Sequence, residues 1–131
     1  MKQSIFRKRL RATVIVRCPE GIVLAGDKSG LILLPGGGID PGELPISAAA
    51  RELHEETGLV ATSLRFLFHH ESPSNWHHVF YGEAEGDPVA ADDAETLFFL
   101  DRPVLHSPLN LSPATRTILT RFEDCLLGQA R

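Results

Sequence analysis

The chain has little that would cross-link it, anchor it in a membrane or draw it to a polyanion. Its 131 residues include two cysteines, Cys18 and Cys125, far apart and in no CxxC pair. That spacing removes a disulfide framework and leads us to expect reduced thiols in a cytoplasmic protein. No apolar run approaches the roughly 18 residues that a membrane span needs, so a membrane is not an expected partner. The formal net charge of −4 gives no general attraction for nucleic acid. Repeats, low-complexity tracts and linker-like stretches are missing, so we expect one domain over residues 1–131 with one core.

The basic charge that is present lies unevenly. Lys2, Arg7, Lys8, Arg9 and Arg11 gather near the start. The plain reading is a solvated strand flank, and the sharper one is a contribution to holding an anionic substrate.

Apolar runs separated by turn residues follow: Val14 to Val16, Ile22 to Leu24 and Leu31 to Leu34 read as buried strands. Pro45 to Thr57 reads as a helix, with proline suited to its first turn and Gly58 to the left-handed position after its last. The segments 63–71, 77–85 and 95–100 read as further strands. A second helix begins at Ser112-Pro113, burying Ile118, Leu119, Phe122, Leu126 and Leu127. Strands interleaved with two helices imply a sheet covered by helices on its faces.

The first helix carries a contradiction. Glu52, Glu55 and Glu56 fall in its last turns, where the helix dipole is already negative and each carboxylate costs about 0.3–1 kcal/mol. At about 100° per residue, Ile46, Ala49, Ala50, Leu53 and Thr57 share one arc, which should pack. The three glutamates share the neighbouring arc, with Ala48 leaving room among them for a bound group. Ahead of the helix, Gly36, Gly37 and Gly38 permit close approach by a ligand. Clustered carboxylates and carbonyls are hard oxygen donors that suit Mg²⁺ or Mn²⁺ rather than zinc. The acidic helix end thus anticipates a cation from outside the chain.

Gly37, Glu43 and the run Arg51-Glu52-Leu53-His54-Glu55-Glu56-Thr57-Gly58-Leu59 match the Nudix box at every specified position. The chain therefore resembles compact, MutT-like Nudix hydrolases. The resemblance implies an α/β/α sandwich with a mixed β-sheet and a catalytic loop–helix–loop. It implies an Mg²⁺-dependent hydrolase, with Mn²⁺ as a substitute, that cleaves a pyrophosphate linkage in a nucleoside diphosphate derivative. Glu52, Glu55 and Glu56 would be catalytic and bind the metal, joined by the Gly37 carbonyl. Glu43 and Arg51 would brace the loop–helix–loop. Glu95 is the first candidate for a further acid outside the box, with Asp92 and Asp93 beside it. The expected partner is a nucleoside triphosphate or related small nucleotide, handled by a monomer or homodimer. ADP-ribose or a nucleotide sugar is the alternative substrate, and a nucleotide-binding module without catalysis is the alternative function.

Other features carry less. "GIVLAGDKS" lacks the Gly-Lys-Ser/Thr of a phosphate-binding loop because Asp27 interrupts it. His69-His70 and His77-His78 cannot chelate as neighbours, because adjacent strand residues face opposite ways; only cross-strand combinations remain. Trp76, Phe80 and Tyr81 could stack on a base, but core packing is the plainer role.

Overall fold

The computed structural model describes residues 7–129; Lys2 of the basic start lies outside them. Among the described residues seven strands form one sheet: β1 (Arg9–Cys18), β2 (Gly21–Gly26), β3 (Ile32–Leu33), β4 (Gly36–Gly38), β5 (Val60–Glu71), β6 (Asn75–Glu85) and β7 (Thr96–Leu100). Two α-helices accompany them, α1 (Pro45–Thr57) and α2 (Pro113–Gln129). The sheet is mixed, since β1 runs parallel to β6 while the other pairings are antiparallel.

Alternation along β1 and β2 fixes the layers. Ile15, Ile22 and Leu24 face one core with Val79, Ile118, Leu119 and Phe122, so α2 covers that side. Val14, Val16 and Val23 face the other with Ala48, Ala49, Leu53 and Phe80, so α1 covers this one. Apolar residues on both faces of a strand are what a sheet between two helical layers requires. No helix among the described residues is long and apolar enough to cross a membrane.

The decisive irregularity lies between β1 and β2. They pair only at their hairpin end, Arg17 with Ile22 and Cys18 with Gly21, and then diverge. The chain from β3 to β4 fills the gap as a V: Leu33 pairs with Ala25 of β2, and Gly37 pairs with Ala12 of β1. The glycine run, which reads as a loop, is thus a short strand, and the mouth of the V is a cleft.

The helix ends form as expected. Pro45 opens α1 with no side-chain cap on Leu44, and Gly58 closes it at φ 75°, donating its N–H to His54 O. Ser112 caps α2 by accepting the Thr115 N–H on its hydroxyl, at 3.2 Å. The buried stripes differ in detail. Ile46 is 41% exposed while Ala48 is fully buried, so Ala48 packs in the core and leaves no space for a bound group. Side-chain-free Gly36 and Gly37 admit α1 closely on its glutamate side, which rotates the packed face toward Glu52 and Glu56. Leu126 and Leu127 are exposed, because they line an open cavity of about 680 Å³ beside Ile22 and Leu100 rather than pack against the sheet.

Candidate active-site cleft

The cleft, about 250 Å³, is lined by Arg9 and Arg11 of β1, Ala25 and Gly26 of β2, Gly36 to Gly38 of β4, Glu52 and Glu56 of α1, and Asp93. Acids on the helix thus face arginines on the central strand. Of the early basic residues that are described, Arg9 and Arg11 belong to this cleft. Lys8 instead pairs with Glu71.

Arg51 holds the helix to the loop before it. Its Nε and Nη2 donate to both oxygens of Glu43 at 2.8 and 2.9 Å, and Nη2 also reaches Gly38 O at 3.0 Å. Its Nη1 donates to Glu52 Oε2 at 3.0 Å and to Glu55 Oε1 at 3.1 Å. A bidentate guanidinium–carboxylate pair fixes orientation as well as charge. It pushes the Glu43 carboxyl down to about 2 and raises the Arg51 guanidinium. The negative end of α1 is also answered by backbone: Ala91 N–H reaches Glu56 O at 3.0 Å and Val89 N–H reaches Thr57 O at 2.8 Å.

The same loop delivers an acid. Asp92 adopts a left-handed φ of 57°, a conformation that aspartate tolerates better than most residues. The resulting turn, closed by Ala94 N–H to Ala91 O, sets Asp93 in the cleft. Glu95, the first sequence candidate, lies elsewhere: its backbone N–H bonds Gly26 O, and it lines a separate depression with Ile32 and Phe98. That placement is a correction. Asp93 sits in the turn itself and Glu95 at the bend that leads into β7, so the direction of each is set by the turn and by the Glu95 N–H bond to Gly26 O, which the loop sequence alone does not reveal.

The three helix glutamates are not equivalent. Glu52 and Glu56, one turn apart, line the cleft, whereas the Glu55 carboxylate turns to Arg51 and is 41% exposed. Among the described residues, no three His, Cys, Asp or Glu side chains converge as a ready metal cage. Burial pushes the Glu56 carboxyl up to about 7; the Gly36 N–H and Arg11 oppose this, while Glu52 and Asp93 add to it. Burial also raises Glu52, against the pull of Arg51. Arg11 is lowered by burial, opposed first by Glu56, and its guanidinium has no hydrogen-bond partner among the described residues.

Glu56 makes stability depend on pH. Its carboxyl sits at about 7 in the folded chain against 4.5 ordinarily, so between those values the native state keeps a proton that the unfolded state has lost. This contribution is complete below the ordinary value and disappears as pH rises through about 7. His77, pushed down to about 4 by burial, contributes the opposite trend as pH rises through its ordinary 6.5, so the Glu56 effect is read as a difference between two proteins. From pH 6 to pH 8 the metal-free wild type should lose melting temperature relative to Glu56→Gln in parallel thermal scans.

Gly37 is required by contact rather than by turn geometry. A Cβ there would overlap the Glu52 carboxylate, while one at Gly36 would strike the Ala12 carbonyl. The first obstacle is a movable side-chain tip and the second is backbone. Gly37→Ala should displace Glu52 and reduce turnover at least tenfold, for a stability loss of about 1 kcal/mol or less. Gly36→Ala should mainly destabilise. Paired kinetic and urea-melt measurements separate the two outcomes.

A second cavity, about 350 Å³, shares Arg11, Leu33 and Leu34 with the cleft and is walled by Thr13, Asn75, His77 and Ile118. His77 Nδ1 lies 2.9 Å from Thr13 Oγ1. Burial, then Arg11 and His70, push His77 down to about 4, so its ring is neutral near pH 7. Asn75 Oδ1 is buried with no partner among the described residues. This wall has no motif in the sequence; strand parity alone puts Asn75 and His77 on one face. Phe80 is core and Tyr81 packs on Phe122 with ring centroids 5.0 Å apart, so neither takes the stacking role weighed for it.

A family model described as NUDIX domain matches residues 7–122. A candidate nudix hydrolase family member of Chromobacterium violaceum superposes with a TM-score of 0.81 at 32% identity, over 95% of this chain and 92% of that one. A MutT NUDIX hydrolase of Burkholderia pseudomallei superposes at 0.74 with 24% identity, over 86% and 96%, a likeness of fold. A candidate 8-oxo-dGTP diphosphatase of Bacillus subtilis is 40% identical over 65 residues, 48% of this chain and 44% of that protein. An RNA pyrophosphohydrolase of Brucella anthropi is 46% identical over 59 residues, 42% of this chain and 31% of that protein. The matches span less than half the length of either curated relative.

Proposed function

The chain belongs to the NUDIX domain family, and from that premise we propose that it is a divalent-metal-dependent hydrolase of a pyrophosphate linkage in a small nucleotide. A nucleoside triphosphate or close derivative is the substrate this reading favours, and residues 1–131 act as one such domain. The observation that carries the reading is the cleft itself, where Glu52 and Glu56 face Arg9 and Arg11. Carboxylates suited to a cation and guanidiniums suited to phosphate share one wall-to-wall space. The adjoining cavity, with neutral His77 and the unpartnered Asn75 Oδ1, offers room for a nucleoside.

The donor set fits a hard cation. Mg²⁺ takes one or two protein carboxylates and completes its shell with water and substrate phosphate, so two cleft glutamates without a closed cage suit it. The backbone of Gly37 lies against the Glu52 carboxylate, adding a carbonyl of the same hard character. The proposed holders are Gly37 O, Glu52 and Glu56, with Asp93 taking the place foreseen for Glu95; Glu55, paired with Arg51 in the metal-free chain, would join them only by leaving that pair. Bound there, Mg²⁺ would neutralise phosphate oxygens and acidify an attacking water. The remaining work falls to the chain. Arg11, lacking an internal partner, binds phosphate, and Arg9 adds charge at the rim. Arg51 occupies Glu52 Oε2, leaving Oε1 to orient water and accept its proton. Glu43 keeps Arg51 in place.

A hydrolysis panel with and without Mg²⁺ tests this. It would contain nucleoside triphosphates, oxidised deoxynucleotides, 5′-triphosphorylated RNA, nucleotide sugars, ADP-ribose and dinucleoside polyphosphates, with products resolved by mass. We expect Mg²⁺-dependent release of a nucleoside monophosphate from a free nucleotide. Preference for ADP-ribose or a nucleotide sugar would move the substrate, and nucleotide binding without cleavage of any member would refute catalysis. Mg²⁺ should also raise the melting temperature more at pH 8 than at pH 6, because it requires the ionised form of Glu56.

A further inference from the structure

The β5–β6 ladder contains a bulge between Phe66 and Phe68. It shifts the alternation of β5 by one residue, so His69 joins Phe66 on the α1 side of the sheet, directly opposite His78. Without the extra residue His69 would face the other way. His69 Nε2 lies 3.2 Å from His78 Nδ1, and the rings stand nearly perpendicular at 79°. The spacing is that of an N–H···N hydrogen bond between the two rings, and neither ring has a carboxylate partner among the described residues, so the fold already brings two imidazole nitrogens together with no acid between them.

We propose that His69 and His78 form a binding site for a borderline divalent transition-metal ion, Zn²⁺ or Ni²⁺ in class, separate from the catalytic cleft. With metal–nitrogen distances of about 2.0–2.1 Å, nitrogens 3.2 Å apart subtend about 100° at the ion. That angle lies between octahedral and tetrahedral values. Imidazole suits such metals, whereas the hard oxygen donors of the cleft suit Mg²⁺. His69 is exposed, so its ring can turn to aim its lone pair beside that of His78, and water fills the remaining positions. Both histidines come from facing strands, so the bound ion ties the hairpin across its ladder.

Trp76, the only tryptophan in the sequence, has its ring centroid 5.1 Å from that of His69, which supplies the readout. Untagged protein in excess Mg²⁺ is titrated with Ni²⁺ while tryptophan emission is followed. We expect saturable quenching at one ion per chain, reversed by Zn²⁺. In His69→Ala and in His78→Ala the affinity should fall on the order of a hundredfold, as a chelate becomes a single ligand. His70→Ala, on the opposite face, should bind like wild type, and all three should keep the catalytic activity. His69 is exposed, so its variant decides the matter even if the half-buried His78 variant fails to fold. Quenching that does not saturate, or that survives His69→Ala at unchanged affinity, would overturn the site.

Discussion

Glu56→Gln is expected to lower turnover by about two to four orders of magnitude, the range over which a positioned acid–base or metal-binding group contributes, while the chain remains folded. Glutamine keeps the length of the side chain and can still accept the Gly36 N–H that now reaches Glu56 Oε1 at 3.3 Å. What it removes is the charge, which burial makes costly and which only a cation can make worthwhile. The same variant should therefore be more stable than the wild type at pH 8 in the absence of metal. Kinetics and thermal melts on one preparation check both halves. Rates close to wild type would remove the metal-site argument, and lost stability at pH 8 would show that Glu56 is structural.

Leu53→Ala should produce the largest loss of stability, about 2–5 kcal/mol. Leu53 is fully buried and packs with Val14, Val16, Ala49 and Phe80. Its carbonyl accepts the Thr57 hydroxyl at 2.6 Å, and Thr57 Oγ1 in turn accepts the Leu59 N–H. A cavity here loosens the last turn of α1 against the sheet, between Glu52 and Glu56. Urea unfolding should show a lower midpoint with little change in slope. Activity per folded molecule should fall as well, because the loosened turn carries Glu52 and Glu56. A cost below 1 kcal/mol would mean that α1 repacks and does not position the cleft rigidly.

How far the sequence could foresee this molecule depended on the kind of signal. The strands around Val14–Val16 and Ile22–Leu24, helix α1 and the start of α2 follow from local apolar patterning and capping residues. The pairing of Arg51 with Glu43 came from the family resemblance, and the geometry shows it as a bidentate contact. The packed arc of α1 was misplaced, because helix angles ignore how closely Gly36 and Gly37 let the backbone approach. Glu95 was chosen over Asp93 because a left-handed Asp92 and an Ala91–Ala94 turn leave no periodic trace. Which cross-strand pair of histidines meets was left open, because strict alternation would send His69 to the other side and a bulge is a property of two paired strands that one strand's sequence does not declare. Tertiary neighbours, not local preference, decided each of these cases.

If the cleft glutamates hold a divalent cation, that cation can be counted. Electron paramagnetic resonance counts free Mn²⁺ directly, without substrate or turnover, and Zn²⁺ can be added beforehand to occupy any histidine site. Titrating wild type and Glu56→Gln side by side should show saturable Mn²⁺ binding in the first, weakened by at least about tenfold in the second, as expected when a ligand charge is removed. Equal Mn²⁺ affinity in the two proteins would contradict the account.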